Sequence, residues 1–165
     1  MRLAAAAAAI VLSSCGTSVV LPAAPAARFD PVAFFAGKSH GEGSLDTLVE
    51  SPVQITVDSV GRVQGNTLVL DQTIRRGDKP ARVRRWTMHP VAPNRFSGTL
   101  TDAVGPVQGT TAGPRAYIRY EMKGGFQVEQ QLALQADGRT VLNRLEVKKF
   151  GMRVASLDET IRKLD

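Results

Sequence analysis

From Val53 to Val154 the sequence alternates apolar and polar residues with a period of two, broken by turn residues every 8 to 15 positions. No other feature constrains the fold as strongly. Successive side chains of a strand point to opposite faces, so alternation marks an extended segment with one buried face. Val53, Ile55 and Val57 alternate with Gln54, Thr56 and Asp58. After Gly65-Asn66, Leu68, Leu70 and Ile74 line the next face. Gly77 to Pro80 turns the chain into Val83, Trp86 and Met88, with a phase slip near Arg84 that predicts a bulge. Pro93-Asn94 leads to Phe96, Gly98 and Leu100, and Val104 and Val107 fall in a glycine-rich strand. Ala116, Ile118, Tyr120 and Met122 alternate cleanly, and Gly124-Gly125 turns into Phe126, Val128, Leu132 and Leu134. Asp137-Gly138 is a hairpin signal before Val141, Leu145 and Val147. Gly151 then precedes Met152 and Val154.

Against this stands one helical signal. Asp30 is an N-cap residue, Pro31 suits the first helical position, and Val32, Phe34 and Phe35 precede a stop at Gly37. About ten antiparallel strands with no covering helix must hide their edges, and closure does so. The expectation is an all-β domain over residues 28–165: a single antiparallel up-and-down β-barrel of about ten strands, preferred over a sandwich. Its outward faces are too polar for a membrane-spanning barrel.

The N-terminus reads as an address. Arg2 precedes an apolar run of ten residues, Leu3 to Leu12. That is short of the roughly 20 residues needed to span a bilayer and suits a signal peptide. Leu12-Ser13-Ser14-Cys15-Gly16 follows, containing the only cysteine of the chain. A large aliphatic residue, two small residues and a cysteine resemble the bacterial lipobox. That resemblance implies a signal peptide over 1–14, a thioether-linked diacylglycerol on Cys15, and an acylated new N-terminus. Gly16 stands where an aspartate would signal inner-membrane retention, so the resemblance implies the outer membrane, facing the periplasm. Residues 16–27 are uncharged and carry Pro22 and Pro25, a semi-extended tether.

The chemistry-bearing residues are few. One cysteine excludes an intramolecular disulfide and a multi-cysteine metal site. His40 and Glu42 share a strand face but lack a marked nucleophile, and His89 beside Pro90 reads as surface. No HExxH or CxxC motif occurs, and the glycines at 105–113 open no phosphate-binding helix. The reading is of a protein that is not an enzyme and carries no cofactor or metal. Extending the alternation places Gln72, Gln130 and Asn143 on the apolar faces, where they and Trp86 and Tyr120 could orient an amphiphilic ligand such as a fatty acid.

Charge is concentrated. Without Arg2 the chain has 20 basic and 15 acidic residues. Arg75, Arg76, Lys79, Arg82, Arg84 and Arg85 stand against Asp78 alone, so residues 75–85 hold the whole excess of five. This run is a candidate for anionic lipid head groups. It lacks the interleaved stacking aromatics of a nucleic-acid site. The alternative role is a structural lipoprotein that docks another envelope component.

Three stretches carry a family resemblance. They are Phe34-Phe35-Ala36-Gly37-Lys38-Ser39-His40-Gly41-Glu42-Gly43, Arg84-Arg85-Trp86-Thr87-Met88, and Thr140 to Val154 with its Asn143-Arg144 and Lys149-Phe150-Gly151. With the lipobox, they resemble the domain-of-unknown-function 3833 family of Gram-negative lipoproteins, across about residues 28–163. More distantly, the helical turn before Gly37-Lys38-Ser39 resembles the opening of the calycins, the lipocalin superfamily, although their Gly-x-Trp tryptophan is missing. The Gly-Glu-Gly run is similar to nitrobindin-like haem barrels, but no histidine follows His89 to serve as iron ligand.

Substituting Cys15→Ala is expected to abolish incorporation of labelled palmitate into the protein. Label retained by the variant would exclude a lipid on Cys15.

Overall fold

The computed structural model describes residues 20–23 and 28–165. The expected signal peptide, Cys15 and most of the expected tether lie outside them. Helix α1 (Pro31–Phe35) precedes ten strands: β1 (Gly37–Thr47), β2 (Val53–Gln64), β3 (Thr67–Arg76), β4 (Arg82–Ala92), β5 (Arg95–Leu100), β6 (Val107–Ala112), β7 (Arg115–Met122), β8 (Phe126–Leu134), β9 (Thr140–Lys149) and β10 (Met152–Lys163). Each pairs antiparallel with its neighbours in sequence, and β1 also pairs with β10 from Ser39↔Lys163 to Thr47↔Ala155. The barrel is therefore closed, as the alternation predicts.

Helix α1 forms for the reasons read from the sequence. The Asp30 carboxylate accepts from the backbone N–H groups of Val32 (2.9 Å) and Ala33 (3.2 Å), and Pro31 sits in the first turn. Gly37, at φ +87°, turns the chain into β1. Phe29, Phe34 and Phe35 are buried and stack edge to face, with ring centroids 5.6 and 5.0 Å apart. They plug the barrel end formed by the start of β1 and the end of β2. The Lys163 ammonium, at the end of β10, donates to the carbonyls of Phe34 (3.0 Å) and Ala36. The opposite end is made of the loops 48–52, 77–81, 101–106, 123–125 and 150–151, and no helix among the described residues covers it.

The apolar faces predicted for β2, β3 and β5 to β9 point inward, whereas Met152, expected on the apolar face of the last strand, is 66% exposed, and Leu157 and Ile161 of β10 face the core instead, beyond the irregularity at Arg153. Leu68, Val107, Val128, Leu132 and Val141 are the largest fully enclosed side chains. Two further local expectations are corrected. The register of β3 with β4 runs unbroken from Leu68↔Met88 to Ile74↔Arg82, so there is no bulge at Arg84. The apparent slip is an exchange of polarity: Arg84 faces inward opposite Gln72, while Val83 is 70% exposed outside. The irregularities lie instead between Pro90 and Ala92 and between Arg153 and Ala155. Val104 is not in a strand. Its N–H donates to the Glu121 carbonyl (2.7 Å) from the loop before β6.

Gly61 marks where β2 meets the plug. A Cβ there would lie 1.8 Å from the Phe35 carbonyl oxygen, a backbone atom with nowhere to go. Gly61→Ala is expected to destabilise the fold by about 1–3 kcal/mol, the usual cost of overpacking, measured as a lowered urea midpoint.

Candidate functional site

Inside the barrel, about midway along the strands, the inward faces carry polar groups among the aliphatics. They fall into two sets. On the first wall Gln72, from β3, is the hub. Its side-chain oxygen accepts from Arg84 Nε (2.8 Å) and from Trp86 Nε1 (2.7 Å), both on β4. Its amide nitrogen donates to Ser59 Oγ (3.0 Å) on β2. Indole and guanidinium nitrogens only donate, so they fix which way the Gln72 amide points. Tyr120, from β7, closes this wall with its ring edge-to-face on Trp86, centroids 5.6 Å apart.

Arg84 is the unusual member. Its guanidinium lies 5.4 Å from the Trp86 ring centroid, within cation–π range. Among the described residues no carboxylate lies within 4.0 Å of it. Its Nε donates to Gln72, and the guanidinium also lies within hydrogen-bonding reach of the Tyr120 hydroxyl, where it opposes the rise that burial causes in that phenol's pKa. A half-buried cation with no carboxylate partner is a ready partner for an anion, because charge-assisted bidentate contacts are the strong ones.

The second wall is a relay. Gln130 Nε2 on β8 donates to Asn143 Oδ1 (2.9 Å), and Asn143 Nδ2 on β9 donates to Glu159 Oε2 (2.8 Å) on β10. Glu159 is a buried carboxyl whose pKa is raised by loss of hydration; the Asn143 bond and the charges of Arg84 and His40 oppose that rise. Space for it comes from β1. A Cβ on Gly41 would stand 2.0 Å from Glu159 Oε1, so the carboxyl lies where that side chain would have been. Gln130 Oε1 and Ser39 Oγ are buried with no partner in the protein. Each such orphan calls for an explanation, a bound ligand or water among them.

The sequence placed Gln72, Trp86, Tyr120, Gln130 and Asn143 inside, and all five are there. It missed Glu159 and Ser59. Glu159 shares the period-two face of Leu157 and Ile161, and that pattern was enough to find it.

The basic run is dispersed rather than gathered. Arg75 pairs with Asp58 (2.5 Å), Arg76 and Lys79 with Glu50 (3.3 Å for Lys79), Arg82 with Asp102 (3.4 Å), and Arg85 with Asp71 (2.5 Å). Neighbouring strands thus supply the carboxylates that the linear sequence lacks. Exposed pairs of this kind add little to stability, but they quench the local field. His40 points outward with its Nδ1 2.7 Å from Asp58 and its Nε2 3.4 Å from Glu42. The Asp58 bond is the main cause of its raised pKa.

The relay makes a pH prediction. A carboxyl whose folded pKa is raised binds its proton more tightly in the native state, so stability falls as pH rises from the ordinary value of 4.5 through the folded one. Glu159→Gln keeps an acceptor for Asn143 and removes the titration. Urea midpoints of the variant are expected to decline less than those of the parent over that range. Parallel profiles would show that Glu159 does not titrate in this way.

Comparison with known proteins agrees with this architecture. An S-type phycobiliprotein lyase from Guillardia theta superposes with a TM-score of 0.65 at 7% identity, covering 81% of this chain and 90% of the lyase. A DUF3598-family protein of unknown function from Nostoc punctiforme superposes with a TM-score of 0.54 at 9% identity, covering 81% of this chain and 48% of that one. At such identities the likeness is one of fold, a calycin-like barrel. No curated protein matches the chain. The family model described as protein of unknown function (DUF3833) matches residues 9–163. Its match takes in the whole barrel, and the chain belongs to that family.

Proposed function

We propose that this chain is a lipoprotein of the outer membrane, held by acyl groups on Cys15 and facing the periplasm, whose barrel binds an amphiphile with an anionic head group such as a fatty acid. The observation that carries the reading is Arg84: a guanidinium turned into the barrel, oriented by Gln72 and Trp86, with no carboxylate beside it. In this reading the ligand carboxylate meets the Arg84 amino groups beside Tyr120, and the apolar tail lies along the aliphatic inward faces. The calycin-like fold supports a container role. The neighbour whose name marks it as a phycobiliprotein lyase leaves room for chemistry on a bound molecule. Nothing in the interior polar set pairs a nucleophile with a base, so binding is the favoured activity.

A second reading has its own observation. A groove of about 1100 Å³ runs along the outer face of β5 to β9, lined by Tyr117, Arg119, Glu129, Gln131 and Arg144. Such a surface suits docking of another envelope component.

Fluorophore displacement separates the two. An anionic naphthalene-sulfonate dye is expected to enter the barrel and to be displaced by a long-chain fatty acid. Arg84→Gln is expected to weaken the fatty acid by about tenfold or more, the scale of one charge-assisted hydrogen bond, with little effect on a neutral fatty alcohol. Absence of dye uptake, or equal losses for acid and alcohol, would favour the docking role.

A further inference from the structure

The β9–β10 turn breaks two rules at once. It is the two-residue link Phe150-Gly151, and Phe150 has φ +51°. A bulky residue in the left-handed region is a genuine outlier, since turns of this kind ordinarily use asparagine or glycine. The same phenylalanine is 88% exposed. The fold thus holds a large aromatic ring in water at the tip of a hairpin, in a backbone conformation that disfavours it.

The surroundings share the character of the tip. Met152, the next residue but one, is 66% exposed. The β1–β2 loop lies alongside, tied by the Leu48 N–H to the Val154 carbonyl (3.2 Å), and it exposes Leu48 and Val49. Together they form an apolar edge at the barrel end that no helix of the described residues covers. Lysines stand behind it. Lys149 Nζ lies 4.5 Å from the Phe126 ring centroid and 5.6 Å from that of Phe150. Among the described residues neither Lys149 nor Lys123, in the adjacent β7–β8 turn, has a carboxylate within 4.0 Å. Lys148 and Arg153 are matched instead by Glu129 (2.6 Å) and Glu146 (3.8 Å).

We infer that this edge is a bilayer-docking surface: Phe150, Met152, Leu48 and Val49 enter the head-group and upper acyl region of an anionic membrane, and Lys123 and Lys149 meet its phosphates. An apolar tip backed by cations is the composition of interfacial anchors. Docking turns the uncovered barrel end toward the bilayer, so an amphiphile passes between membrane and barrel without crossing water. The surface deepens the binding reading and rests on it for that transfer role, but not for docking itself.

The test uses the full chain bound to vesicles of phosphatidylcholine with roughly 30% phosphatidylglycerol, an anionic content in the range that attracts polybasic surfaces. Phe150→Trp reports the tip, with the buried Trp86 as the internal background. With brominated acyl chains, the F150W emission is expected to shift to the blue and to fall by about half or more, whereas the parent emission changes little. Adding K123A and K149A is expected to cut this quenching severalfold. Val49→Trp gives the same readout from the neighbouring loop if Phe150→Trp disturbs the hairpin. Emission from both F150W and V49W that stays solvent-like and unquenched overturns the proposal, and quenching indifferent to the two lysines overturns the anionic assignment. Dye displacement by fatty acid, measured in parallel, separates the two readings: its loss with quenching intact rejects the amphiphile alone.

Discussion

The pairing of β1 with β10 holds the rest in place. It removes the two free edges that a ten-stranded meander would otherwise expose, and it turns a sheet into a container with an inside. It also sets Gly41 and Gly43 of β1 against Ile161 and Glu159 of β10. Because the glycines offer no side chain, the Glu159 carboxyl lies over them. The contact that closes the barrel is thus the contact that makes room for its buried acid. Lys163 reinforces the seam by binding carbonyls at the end of α1, so the helix and the last strand are fixed to each other.

From that seam the interior polarity follows. A small barrel filled with aliphatic side chains has no use for an arginine, a glutamate and three amides on its inward faces unless each is satisfied. Gln72 achieves this on one wall, where every atom of its amide is engaged. The other wall does not, since Gln130 Oε1 is left over. The asymmetry separates a fully engaged hydrogen-bond hub from a wall with an acceptor to spare. Arg84 joins the hub through its Nε.

Much of this was legible in the sequence, because strand alternation and turn chemistry are local. The strand count and the inward positions of Gln72, Trp86, Tyr120, Gln130 and Asn143 follow from the period-two pattern, and the short helix from the Asp30-Pro31 start and the Gly37 stop. What failed to show was whatever depends on neighbours distant in sequence. Arg75, Arg76, Lys79, Arg82 and Arg85 looked like one unopposed patch, yet Glu50, Asp58, Asp71 and Asp102 meet them from adjacent strands and loops. Arg84 looked like part of the same run. Its inward direction was masked by Val83, an exposed apolar residue that imitates a change of phase. The orphaned Gln130 oxygen and the Phe150 backbone are three-dimensional facts with no linear signature.

The closing pair also governs how the chain acquires its structure. Every neighbouring strand contact except one joins segments consecutive in sequence and can form by hairpin zipping. The exception links Ser39 to Lys163, nearly the whole domain apart. Loop-closure entropy makes that step slow, and non-local pairing of this kind marks slow-folding topologies. Until β10 arrives, β1 presents an open edge able to recruit strands from other chains. A polypeptide threaded through a membrane N-terminus first would hold β1 exposed on the far side while β10 was still in transit, a window in which a periplasmic holdase would have something definite to protect.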